Sequence, residues 1–162
     1  MRSNRFKLRC MKPGLFLKST SLLNDTVFEN ALIFITEYNE KGAMGFIVNQ
    51  LFHRKLNELE EFKNGQPFPI YFGGPVDNEH LYFIHQRPDL IEGGEPITDN
   101  IFLGGNFASA VRNIDKQILT EKDCKIFIGY CGWDYRELDK EIEEGSWEVK
   151  DKEKLSFPLF PF

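Results

Sequence analysis

Residues Ala31-Leu32-Ile33-Phe34-Ile35-Thr36-Glu37 form an apolar run dense in β-branched and aromatic side chains, and Ala43-Met44-Gly45-Phe46-Ile47-Val48-Asn49 repeats it. Between them stands Tyr38-Asn39-Glu40-Lys41-Gly42, polar and closed by a glycine. Two strand-like runs joined by so short a loop predict an antiparallel hairpin. Its place is the centre of the fold, with Ile33, Ile35, Phe46 and Val48 in the core.

Further strands are expected over 14–17, 69–72, 81–85, 101–103 and 125–130, and a brief helix over 57–62. Phe107, Val111, Ile114 and Ile118 are spaced four, three and four apart, which predicts a longer helix from Asn106 with these residues as its buried stripe. Asp134 with Glu137 reads as a capping box opening a last helix, with Tyr135, Leu138 and Ile142 inward and Gly145 as its stop. Hairpins early and helices late indicate an α+β fold. A chain of 162 residues suits one domain, burying roughly 70% of its unfolded surface. We divide it into a basic arm (1–12), the domain (13–155) and an apolar tail (156–162).

Charge narrows the function classes. The net charge is −5 and only the stretch Arg2-Ser3-Asn4-Arg5-Phe6-Lys7-Leu8-Arg9 is basic, which disfavours direct binding of duplex DNA. Lys12, Pro13, Gly14 and Lys18 interrupt what would be a signal sequence, and no apolar stretch approaches the roughly 20 residues of a membrane span. Three cysteines without a CxxC pair fit a reducing compartment, so a cytoplasmic location is expected.

Several segments in order resemble the AlgH/YqgE family of uncharacterised bacterial proteins. They are Gly14 with Leu23, Asp25 and Phe28; Glu37 with Glu40-Lys41-Gly42-Ala43-Met44-Gly45-Phe46-Ile47-Val48-Asn49; Tyr71-Phe72-Gly73-Gly74-Pro75-Val76 with His85; and Gly129-Tyr130-Cys131-Gly132-Trp133 with Leu138, Glu141 and Trp147. Tyr38 departs from the family's usual histidine, and Ser21 and Thr26 from frequent prolines. The resemblance implies a bent, bifurcated, mainly antiparallel sheet closing into a pseudo-barrel with flanking helices. It also carries the label of a transcriptional regulator.

Candidate chemistry is sparse. His85 could act as acid or base with Glu37, against a hydrogen-bonded structural histidine. Cys131 precedes the last helix in a partial nucleophile-elbow pattern, but Trp133 occupies the second glycine's place; the rival reading is a buried structural thiol. His80 and His85 are five apart on one strand and make a poor metal pair, so no metal or cofactor is expected. Gly73, Gly74, Gly129 and Gly132 could bare backbone N–H groups, with Tyr130 and Trp133 as apolar walls and Asn49 nearby. If these form a site, Gly74, His85 and residues 129–133 gather near one end of the sheet with Glu37 and Asn49.

The tail Ser156-Phe157-Pro158-Leu159-Phe160-Pro161-Phe162 is apolar, yet its prolines forbid a helix or an inner strand. Docking on this domain or on a neighbouring copy is expected, the latter giving a homodimer. The sequence thus points to a non-catalytic binding or regulatory domain for a protein or small ligand, with no membrane partner. The alternative is a small-molecule enzyme built on His85 and Glu37.

Overall fold

A computed structural model describes residues 11–151. Nearly all of the basic arm, the whole apolar tail and any dimer contact through it lie outside the described residues.

The strands are β1 (Phe16–Ser19), β2 (Leu32–Asn39), β3 (Gly42–Ile47), β4 (Leu51–Lys55), β5 (Pro69–Phe72), β6 (Val76–His85), β7 (Glu95–Thr98), β8 (Ile101–Leu103), β9 (Cys124–Asp134) and β10 (Trp147–Lys150). The helices are α1 (Phe107–Asp115) and α2 (Glu137–Glu143), with 3-10 turns at Ser21–Leu23, Leu56–Glu58 and Glu60–Phe62. Hydrogen bonding orders the sheet β10-β1-β2-β3-β9-β6-β8-β7, and β4 and β5 branch off β9. This is one α+β domain.

The expected hairpin is central. Ile33 pairs with Ile47 and Phe34 with Phe46, and a bulge falls between Ile35 and Glu37. Ile33, Ile35, Phe46 and Val48 are fully buried.

The fork in the sheet is at β9. Ile126 and Phe127 pair with Ile70 and Tyr71 of β5 in parallel, and with Phe83 and Tyr82 of β6 antiparallel. Farther along, Cys131 and Trp133 pair with Gly45 and Ala43 of β3. Gly129 stands at the fork in a left-handed conformation (φ 73°), and the alternation of side chains shifts there. Ile126 packs with Ala110 and Ile114 of α1, whereas Cys131 and Trp133 pack with Leu138 and Ile142 of α2. Phe127 faces the other way, into an interior cluster with Phe16, Phe34, Phe46, Ile84 and Ile101. Because neighbours on a strand point to opposite faces, both helices lie outside the curl and this cluster inside it.

The expected closure into a barrel does not occur. β10 pairs only with β1 and β7 only with β8 among the described residues. The end of β7 next to the β7–β8 turn approaches the lead into β1, where a Cβ added to Gly14 would meet the Thr98 Cγ2 at 2.7 Å. Pro96 has no N–H to donate and the β7–β8 register shifts between Pro96 and Thr98, so no ladder forms across the gap.

Several local expectations are corrected. α1 ends at Asp115, and Ile118 is 48% exposed; the buried face is Ser109, Ala110 and Ile114. Residues 57–62 form two 3-10 turns instead of a helix. Asp134 ends β9 rather than capping a helix: α2 starts after Arg136, itself left-handed (φ 64°), and Tyr135 is exposed. The Glu137 side chain still reaches back to accept from the Asp134 N–H at 3.2 Å. β4, β7 and β10 were not anticipated, being short or lying at edges.

Candidate functional site

The sequence-derived candidates separate into a sealed group and an accessible one. His85 is fully buried at the end of β6. Its Nδ1 accepts from the Arg87 N–H at 3.1 Å, which leaves the proton on Nε2 to donate to the Gly104 carbonyl at 3.0 Å. Phe83 and Phe102 stack on either side, and burial holds the imidazole below its usual pKa. Both ring nitrogens are thus spent on backbone. Glu37 is exposed and accepts from the Asn39 amide at 3.1 Å, so the two form no acid–base pair.

Nor does His85 meet the tryptophan segment. His85 pairs with Cys124, at the opposite end of β9 from Trp133, and that strand spans up to about 30 Å. The anticipated single site does not assemble.

The glycines do converge, but on one another. A Cβ on Gly73 would meet the Gly129 carbonyl oxygen at 2.3 Å; one on Gly74 would meet the Tyr130 carbonyl at 2.3 Å; one on Gly129 would meet the Gly74 oxygen at 2.2 Å. Here β3, β5, β6 and β9 cross backbone to backbone. Gly73 donates to the Ile128 carbonyl, and its own oxygen accepts from the Ile47 N–H (2.9 Å) and the Cys131 Sγ (3.4 Å). Burial pushes the Cys131 thiol up to about 12. A thiol of that pKa is protonated at neutral pH and bonded inward, unlike a reactive thiolate. Asn49 likewise ties loops together, accepting from the Leu32 N–H and donating to the Asn30 carbonyl, each at 3.0 Å. Tyr130 packs edge-on to Tyr82, at 5.5 Å between ring centroids. Gly132 is exposed, and a Cβ there would meet only the Tyr130 ring, at 3.4 Å.

At the other end of β9 the chemistry opens outward. The indole N–H groups of Trp133 and Trp147 both donate to one oxygen of Glu141, at 3.1 and 2.9 Å, with the rings edge-to-face. This clamp fixes α2 against the sheet. In front of it, the β2–β3 turn and the β9–α2 connection enclose a groove of about 410 Å³, lined among others by Tyr38, Glu40, Asp134, Tyr135, Arg136 and Asp139. The Tyr38 hydroxyl donates to Asp139 at 2.5 Å; burial first, then that carboxylate, raises its pKa. The Arg136 guanidinium lies 5.1 Å from the ring centre of Tyr135. Helical spacing in the sequence hides this groove, because it turns Tyr135 towards the core.

The sequence hides a second cluster too. Asp77 accepts from the His80 Nδ1 at 2.5 Å and from the Tyr82 hydroxyl, which holds Asp77 below and His80 above their usual pKa values. The β6–β9 register shifts between Val76 and Leu81, so sequence spacing alone could not bring these residues together. No three His, Cys, Asp or Glu side chains among the described residues are placed to hold a metal ion. No described helix is long and apolar enough to cross a membrane.

With this geometry in hand, comparison with known proteins places the molecule. Residues 16–157 match the family described as AlgH-like. A UPF0301 protein of Chlorobium limicola is 33% identical over 141 residues, covering 87% of this chain and 75% of its own length. A UPF0301 protein of Bacteroides thetaiotaomicron is 30% identical over 141 residues, covering 86% and 71%. The solution structure of the AlgH protein from Pseudomonas aeruginosa superposes with a TM-score of 0.69 at 24% identity, covering 85% of this chain and 76% of that one. A crystal structure from Corynebacterium diphtheriae gives 0.70 at 18% identity, covering 87% and 76%. These two likenesses concern the fold alone.

Proposed function

Since the chain belongs to the AlgH-like family, and the names of the relatives given above state no activity, we propose that it is a cytoplasmic, non-catalytic binding domain with a regulatory role whose ligand occupies the groove before α2. One observation carries this reading: the groove is walled by the β2–β3 turn and the β9–α2 connection, while His85 and Cys131, the residues best suited to catalysis, are buried and bonded to backbone.

The lining selects a ligand class. Glu40, Asp134 and Asp139 contribute carboxylates against the single guanidinium of Arg136, beside the rings of Tyr38 and Tyr135. Carboxylates with aromatic faces favour a cationic ligand bearing an amine or guanidinium group. Phosphate would be repelled, so regulation by direct DNA contact gains no support from this face.

A thermal-shift series with diamines and guanidinium compounds tests the reading, with phosphates as controls. A bound cation at 100 times its dissociation constant stabilises by about 2.7 kcal/mol, and Asp139→Asn should abolish that gain while leaving the unliganded fold intact. Stabilisation that survives Asp139→Asn, or that comes only from anions, would place the ligand elsewhere.

A further inference from the structure

Among the described residues the curled sheet leaves a seam between β7 and the lead into β1. On one side stands β7, bonded only to β8 among the described residues; on the other stand Pro13 and Thr36. Between them lies a cleft of about 220 Å³ lined by Pro13, Thr36, Pro96, Ile97 and Leu103, with Glu37 and Glu95 also on its walls. Ile97 and Leu103 pack on the interior aromatic cluster, so the cleft is an opening onto the core. An apolar opening of this kind favours an apolar plug over water.

The path of the chain supplies one. β10 and β2 both run antiparallel to β1, so they point the same way. Lys150 stands opposite Phe16, which stands opposite Phe34; Thr36 lies just beyond on β2. The chain leaving β10 at Asp151 is therefore directed along β2 towards the seam, from two strand spacings away, about 10 Å. Residues 152–156 can extend up to about 17 Å, which covers that offset. Then comes Phe157-Pro158-Leu159-Phe160-Pro161-Phe162. Proline-rich segments favour an extended, polyproline-like backbone, the form in which apolar grooves take them up.

We propose that residues 157–162 lie in this seam of their own molecule, an aromatic side chain covering Ile97 and Leu103, and so complete the enclosure that β7 leaves open. This is independent of the ligand assigned to the groove before α2. A larger apolar groove, about 610 Å³ and lined by Phe62, Phe107 and Val111, is the rival seat. It lies on the outer, α1 side of the sheet, away from the direction in which β10 points.

Amide NMR spectra of the full chain and of its Leu159→Ser/Phe160→Ser double variant decide between them, with mass measured by light scattering. Shifts centred on Thr36, Glu37, Ile97 and Leu103, at unchanged monomeric mass, are expected. Unmoved seam amides, or shifts at Phe62 and Val111 instead, would overturn the proposal. So would seam shifts that depend on concentration and accompany a dimeric mass, since the tail of a second copy would then be the occupant.

Discussion

The two ends of β9 carry comparable polar groups in opposite circumstances. At the Cys124 end, the imidazole of His85 is walled by Phe83 and Phe102 and gives both nitrogens to backbone partners. At the Trp133 end, Asp139 takes one hydrogen bond from Tyr38 and still borders a groove. The first arrangement holds the fold; the second leaves chemistry facing outward. Residue type does not separate them, because histidine is the commoner catalytic side chain. What separates them is whether neighbours have already used the group's hydrogen-bonding capacity.

The sharpest way to break this contrast lies at the fork between the two ends. Gly129→Ala puts a methyl 2.2 Å from a backbone oxygen at a left-handed position, and should cost about 3–5 kcal/mol in urea melts. Gly132→Ala, three residues along on the exposed side, should cost under about 1 kcal/mol. Similar losses in the two variants would mean that the crossing is less tight than its geometry requires.

A smaller effect tests the Trp133 end. Glu141→Ala strands two indole donors and should cost about 2–4 kcal/mol, with altered tryptophan fluorescence. Glu141→Gln keeps a carbonyl acceptor and should lose about half as much. Equal losses would show that the charge, rather than the shared acceptor, holds α2 in place.

The smallest effect compares the two histidines of β6 by their pH dependence. Burial depresses the His85 pKa below 6.5, so the unfolded chain takes up the proton first as the pH falls. Its contribution is complete above pH 6.5 and is lost below it, at up to about 1.4 kcal/mol per pH unit. His80, raised by Asp77, has the opposite sign: its contribution is present below pH 6.5 and is lost as pH rises through the folded value. Stability measured from pH 7.5 to 5 should therefore flatten in His85→Gln and keep its acid-side fall in His80→Ala. The reverse pattern would exchange the roles of the two residues.

The core was legible where side-chain pattern is local. Ile33, Ile35, Phe46 and Val48 follow from β-rich runs either side of a glycine-containing turn, and the start of α1 near Asn106 follows from the apolar spacing beyond it. The edges were not. β10 exists because the backbone from Trp147 to Lys150 pairs with β1, with Trp147 opposite Ser19, a partner separated from it in sequence by most of the chain. Tyr135 and Ile118 look inward by helical spacing, yet each helix is shorter than its apolar period, so both are exposed. The groove was hidden for the same reason, as it depends on Arg136 turning left-handed between strand and helix.

Taken alone, the sequence determined the α+β class, the central hairpin and the glycine-rich segments, because these depend on contacts between residues close in the chain or on side-chain alternation. The tertiary structure alone decided what the glycines and polar groups are for. Gly73 and Gly129 proved to be points where backbones touch, His85 and Cys131 proved internally bonded, and Tyr38 met Asp139 across the molecule. Hydrogen-bond satisfaction and solvent access are properties of a three-dimensional neighbourhood, and long-range contacts fix that neighbourhood only after the chain has folded.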